Sequence, residues 1–157
     1  MDSESPQGVV MGRAEIEAWI PHRAPFLFVD RVLEVTDERI LSEWEIDPAA
    51  DFLRGHYPGN PIVPGVLLNE FVFQSAAILM ARLDDLRPGS PEVPVLTRIQ
   101  GARFKRVVRP GEVVRAETTL GERLGPACYM NAKLRTEKGA VGRLEFVVAL
   151  TRPEGGR

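Results

Sequence analysis

Gly65-Val-Leu-Leu-Asn-Glu70-Phe-Val-Phe-Gln-Ser75-Ala-Ala-Ile-Leu-Met80-Ala-Arg-Leu83 is too long for an ordinary strand and rich in Leu, Ala and Met, so it reads as a helix. Asn69, Glu70, Gln74, Ser75 and Arg82 interrupt its apolar run, whereas a membrane span needs about 20 predominantly apolar residues. Val66, Leu67, Leu68, Phe71, Val72, Phe73, Ile78, Leu79 and Met80 put apolar surface on every side of it. One flanking layer would leave much of that surface wet, so something must wrap the helix.

The flanking sequence offers strands for the purpose. Arg13 to Ile20 reads as a short helix that Pro21 terminates. Phe26 to Val35 and Arg39 to Ile46 read as a hairpin around Thr36-Asp37-Glu38, with Ile40, Ser42, Trp44 and Ile46 on one face. After the long helix the period changes to two, over Val95 to Lys105, Val113 to Leu120, Ala127 to Thr136 and Val141 to Leu150. Turn residues at Pro110-Gly111, Gly121, Gly125-Pro126 and Lys138-Gly139 separate these segments. The expected class is α+β: a curved antiparallel sheet of about six strands wrapped around one long central helix. A flatter α+β sandwich with one core helix is the other arrangement the pattern allows.

The chain has 157 residues, with 20 Lys and Arg against 22 Asp and Glu, for a net charge of -2. This length suits one domain, expected over residues 13–151 between flexible tails at 1–12 and 152–157. Its one cysteine, Cys128, and two histidines, His22 and His56, cannot form a disulfide or a four-ligand zinc site. The charge balance excludes gripping nucleic acid through the overall field. The polar, acidic first eight residues do not read as a signal peptide, which points to the cytoplasm, with no membrane partner.

Two features look out of place on stability grounds. Glu70 puts a carboxylate among Leu67, Leu68, Phe71 and Phe73, where an unpaired charge is costly. Desolvation is expected to raise its pKa above about 4.3 and keep it able to donate a proton. Gln74, four residues on, shares its face and could hydrogen-bond it. The plain alternative is that Glu70 reaches solvent or pairs with an arginine.

The second feature is Gly55-His56-Tyr57-Pro58-Gly59-Asn60-Pro61-Ile62-Val63-Pro64-Gly65. Three prolines and three glycines fix an irregular loop, a good mount for His56, although a loop histidine is ordinarily a plain surface residue. Pro64 marks the helix start, so the free N–H groups of Gly65 and Val66 can point into the same space. An imidazole, a second carboxyl and helix N-terminal donors suit elimination of water beside a thioester carbonyl, with no metal or redox cofactor.

The run from Gly55 to Leu67, with Glu70 and Gln74, resembles the signature of FabZ-type 3-hydroxyacyl-acyl carrier protein dehydratases, which have the hotdog fold. Pro21-His22-Arg23-Ala24-Pro25-Phe26-Leu27-Phe28-Val29-Asp30-Arg31-Val32 resembles that family's opening strand, and Ala102-Arg103-Phe104-Lys105-Arg106 with Pro110-Gly111-Glu112 its segment after the helix. The resemblance implies dehydration of a (3R)-3-hydroxyacyl thioester to the trans-2-enoyl thioester, in fatty acid, polyketide or other secondary lipid synthesis. It implies that His56 removes the α proton, that Glu70 handles the leaving water, that Gln74 orients Glu70 and that the N–H of Gly65 or Val66 holds the thioester oxygen.

It further implies a homodimer in which His56 of one chain meets Glu70 of the other, and assembly into trimers of dimers. The acyl chain, on the 4'-phosphopantetheine arm of acyl carrier protein, would run in a tunnel beside the central helices. Pro64, Asn69, Phe71 and Phe73 are the tunnel candidates, with Phe71 and Phe73 where the family usually has Ala, which implies a shorter or unusual acyl chain. Arg103, Lys105, Arg106 and Arg109 are candidates for carrier docking, or a solvated strand face. His22 reads as structural, held between prolines with no acidic neighbour. A hotdog thioesterase and a catalytically silent acyl-binding subunit are the competing functions.

Overall fold

The structure is a computed structural model and describes residues 9–153. Its elements in chain order are α1 (Arg13–Glu17), β1 (Arg31–Val35), β2 (Arg39–Glu45), α2 (Phe52–Gly55), α3 (Gly65–Leu83), β3 (Val93–Phe104), β4 (Val113–Leu124), β5 (Ala127–Thr136) and β6 (Gly139–Thr151). The strands form one antiparallel sheet in the order β1-β2-β4-β5-β6-β3. Helix α3 packs against β2, β3 and β4, and the sheet curls around it as the sequence leads one to expect.

Alternation carries the packing. On β5, Cys128, Met130, Ala132 and Leu134 are buried toward α3, while Tyr129, Asn131, Lys133 and Arg135 stand on the outer face. Ile40, Ser42, Trp44 and Ile46 all point inward, as their spacing predicts. Ser42 brings a hydroxyl into the core, and its Oγ lies 2.6 Å from that of Ser75, which itself bonds the Phe71 carbonyl at 2.9 Å. This hydroxyl pair joins β2 to α3 without leaving either group unpaired. Helix α3 is apolar enough to cross a membrane, yet 61% of its most apolar window is buried inside the domain.

Phe71 does not line a tunnel. Its side chain is 0% exposed, and its ring centroid lies 5.8 Å from that of Trp44, which also packs on Phe28 and Phe52. A position facing the sheet is filled by the core, and bulk there says nothing about substrate. Phe73 is partly buried, edge-on to Phe146 at 5.1 Å. The expected N-terminal tail also begins to order sooner than its composition implies: Met11 is buried and pairs with Val32. Residues 1–8 and 154–157 of the two expected tails lie outside the described residues.

One junction fixes where α3 starts. A side chain at Gly65 would meet the Phe104 ring at 3.2 Å, and one at Gly142 would meet the Arg103 carbonyl at 2.4 Å. The end of β3 is therefore clamped between the helix N-terminus and β6. Replacing Phe71 by Ala should cost about 3–5 kcal/mol in urea-induced unfolding, as for a large ring deleted from a filled core. A ring lining an open channel would cost far less.

Candidate active site

Glu70 lies on the second turn of α3, and its side chain is 25% exposed. Gln74 donates to it, Nε2 to Oε1 at 3.1 Å, so the i,i+4 pair expected from the spacing is formed. The same carboxamide donates to the Phe26 carbonyl at 3.0 Å, and its oxygen accepts the Phe28 N–H at 2.8 Å. Three hydrogen bonds thus fix a side chain that is 1% exposed, and they hold Glu70 in one orientation.

His22 is the residue the sequence misjudged. Its Nε2 lies 3.9 Å from Glu70 Oε1, so it does have an acidic neighbour, and its buried Nδ1 has no hydrogen-bond partner. No spacing signal could have found this contact, because it spans 48 positions of chain. Arg23 anchors the segment: its guanidinium donates to the carbonyls of Glu17, Ile20 and His22.

His56 follows the four-residue α2, whose Leu53 is buried as an anchor. Its Nδ1 lies 2.9 Å from the Ile62 carbonyl. A carbonyl only accepts, so this contact places the proton on Nδ1 and leaves Nε2 with a free lone pair. The loop is braced on the next segment through Val63 N–H to the Val108 carbonyl at 2.8 Å and Arg109 to Asn60 Oδ1 at 2.8 Å. Tyr57, at φ 58°, and Gly59, at φ 84°, make its tight bend; the left-handed backbone at Tyr57 is strained for a side chain of that size. At the loop's end the first two amides of α3, Gly65 and Val66, have no carbonyl one turn earlier within the helix. Pro64 and Asn69 are half-buried beside them, and Asn69 Oδ1 is buried without a partner.

Among the described residues, no hydrogen bond or ion pair joins His56 to Glu70 within the chain. His56 bonds the Ile62 carbonyl, and Glu70 contacts Gln74 and His22.

The four expected docking cations separate into two pairs. Arg106 bonds Glu112 at 3.0 Å and Thr136, and Arg109 braces the loop, so both are engaged in local structure. Among the described residues, Arg103 and Lys105 have no carboxylate partner, and both belong to the outer sheet face. There Lys105, Arg115, Lys133, Arg135 and Arg143 line a groove of about 500 Å³ whose one acidic residue is Glu117. Arg115 stands opposite Arg135, and Arg143 lies between Lys133 and Arg103 on the two neighbouring strands. Like charges directly opposite on paired strands cost stability.

Burial pulls the His22 pKa below its usual 6.5, against the attraction of Glu70, which raises it, and with a smaller repulsion from Arg23, which lowers it further. As pH drops through about 6.5 the unfolded chain takes up a proton that the folded one does not, so stability decreases as the pH is lowered, until folded His22 is itself protonated. Urea unfolding measured from about pH 8 to 5 should show this slope, flattened in His22→Gln. An equal slope in that variant would place its origin elsewhere.

Comparison with known proteins gives the chain its relatives. The family model described as a FabA-like domain matches residues 20–143. The 3-hydroxyacyl-[acyl-carrier-protein] dehydratase FabZ of Oenococcus oeni is 36% identical over 142 residues, covering 88% of this chain and 99% of its own. The FabZ of Pseudothermotoga lettingae is 38% identical, over 89% and 96%. Among solved structures, the dehydratase heterocomplex ApeI:P from Xenorhabdus doucetiae superimposes with a TM-score of 0.73 at 14% identity, covering 88% of this chain and 91% of that one, a likeness of fold. With a family model over residues 20–143 and curated relatives matched over most of their own length, the chain belongs to the FabA-like family, among its FabZ-type dehydratases.

Proposed function

We propose that the protein dehydrates 3-hydroxyacyl thioesters carried by acyl carrier protein, as a hydro-lyase of fatty acid synthesis. The observation that carries the reading is the pair of half-sites: an imidazole with its proton fixed on Nδ1, and a carboxyl held by a buried glutamine. His56 Nε2 takes the α proton, and negative charge moves onto the thioester oxygen, where the amides of Gly65 and Val66 can accept it. As the C3–O bond breaks, Glu70 gives its proton to the departing hydroxyl, which leaves as water. The product is the 2-enoyl thioester. Passing one proton from His56 back to Glu70 through solvent restores the starting state.

The halves meet if two chains pair. Strand β3 is the sheet edge next to the loop, and from Leu96 to Phe104 every residue is exposed, including Leu96, Ile99 and Phe104 at 40%, 48% and 41%. A long strand with an open edge and uncovered apolar residues is an unfinished interface. We infer a homodimer paired along β3, with His56 of one subunit serving Glu70 of the other. The resemblance to FabZ-type enzymes adds the trimer of dimers as the further assembly.

The carrier's place follows from charge. Among the described residues, Arg103, Lys105, Lys133, Arg135 and Arg143 have no carboxylate partner, and on a chain of net charge -2 they suit an acidic carrier bearing a phosphorylated arm.

His56→Ala should abolish the rise in enoyl absorbance from a 3-hydroxyacyl thioester without releasing free thiol, and Glu70→Gln should do the same. Mixing the two inactive variants should restore about a quarter of the wild-type rate, since random exchange makes half the dimers mixed and each then has one intact site. Persistent inactivity in dimers proven to be mixed would overturn the shared site. Lys133→Glu with Arg143→Glu should raise KM for the carrier-bound substrate at least tenfold and flatten its salt dependence, leaving turnover of a pantetheine thioester unchanged. Equal effects on both substrates would remove the docking assignment.

A further inference from the structure

Tyr57, next to His56, is favoured neither by its backbone nor by burial. Its φ of 58° lies in the left-handed region that suits glycine, and its side chain is 60% exposed. A large ring that water still covers adds little to the fold, so stability does not account for a tyrosine at this position.

The adjoining turn does not account for the backbone either. The Asn60 N–H donates to the Tyr57 carbonyl at 2.9 Å, with Pro58 and Gly59 at the two central positions and Gly59 at φ 84°. That is the pattern of a type II turn, whose positive φ falls on the glycine and which makes no such demand on its first residue. The left-handed step at Tyr57 belongs instead to the junction where the chain leaves α2. It comes directly after His56, which is itself extended at φ -106° and ψ 97°.

Among the described residues, the Tyr57 ring has one aromatic neighbour, the imidazole of His56. Their centroids lie 4.8 Å apart at 84°, an edge-to-face pair within the range where aromatic rings attract. His56 needs such a neighbour. No residue from Arg54 to Ile62 is buried, so the core does not grip this part of the loop. The bond from Nδ1 to the Ile62 carbonyl fixes one atom of the imidazole and leaves the ring free to turn about it. A second ring set edge-on removes that freedom and gives Nε2 one direction. Relaxing φ at Tyr57 would swing its side chain away from the imidazole, so the strain and the contact come together.

We propose that Tyr57 is a positioning residue for His56: its ring, carried on a strained backbone, fixes the plane of the imidazole and so aims Nε2 at the α carbon of the substrate. The inference rests on the dehydratase reading. A base misplaced by about 1 Å costs on the order of 100-fold in rate, so a loose imidazole is felt in kcat rather than in binding.

The test separates ring from backbone in the full chain, with a 3-hydroxyacyl pantetheine thioester as substrate. Tyr57→Ala and Tyr57→Leu keep the strain and lose the ring, and each should lower kcat by about 10- to 100-fold while KM moves far less. Tyr57→Gly should be as slow, yet unfold at a higher urea concentration than Tyr57→Ala, because glycine accepts the left-handed backbone. Tyr57→Phe should restore the wild-type rate. The ¹⁵N spectrum of the His56 ring should show the Nδ1–H tautomer in wild type and Tyr57→Phe and a mixture of tautomers in the other three. Rates that follow the backbone, with Tyr57→Gly alone impaired, would overturn the proposal. So would a Tyr57→Phe variant as slow as Tyr57→Ala, or a loss that disappears at high protein concentration, which would make the ring an interface anchor. Absence of turnover in wild type would instead refute dehydration, and the ring spectrum then decides whether Tyr57 holds His56.

Discussion

The carboxamide of Gln74 is the point on which fold and site both depend. It is nearly sealed from water, and its three hydrogen bonds link two pieces of chain: α3 through Glu70, and the approach to the first strand through Phe26 and Phe28. Without it, the Phe28 N–H, 46 positions away, would be buried unpaired, at about 1–3 kcal/mol, and the part-buried Phe26 carbonyl would lose its partner too. A helix that is apolar on all sides tolerates a polar residue at its centre only if every donor and acceptor is matched. The match that satisfies the core also aims the carboxyl of Glu70 and brings His22 beside it.

The site is assembled from contacts of different range. The His56 loop is a local object: prolines and glycines within eleven residues, closed by the Ile62 carbonyl and propped on the segment around Val108 and Arg109. The Glu70 half is a product of the whole fold, because it needs the segment before β1 to come back onto α3. One half can be read in a string of eleven letters, whereas the other exists only after the sheet has closed.

That difference explains what the sequence disclosed. Helix α3 and strand β5 fall where periodicity places them, and the inward face of β2 follows from Ile40, Ser42, Trp44 and Ile46. The Glu70–Gln74 pair was legible as an i,i+4 spacing, and the Gly/Pro-dense loop marked His56 as the candidate histidine. Phe71 was misread because bulk on an all-apolar helix does not reveal which side faces the sheet. His22 was misread because its acidic neighbour is remote in sequence. The basic stretch from Arg103 to Arg109 looked uniform in one dimension. In three, alternation and the end of β3 send Arg103 and Lys105 outward, while Arg106 and Arg109 turn to Glu112 and Asn60.

The clamp on Phe104 reaches further than packing. Its ring packs against Gly65 and Gly142, where no side chain would fit, and Phe104 lies on the strand whose far edge is open. Any shift of β3 toward or away from a neighbour is passed by that ring to the first peptide units of α3. In the proposed pair of chains that ring would link the seam along β3 to the amides of Gly65 and Val66, so a change of neighbouring subunit would be felt at the start of the helix without altering a residue that touches substrate.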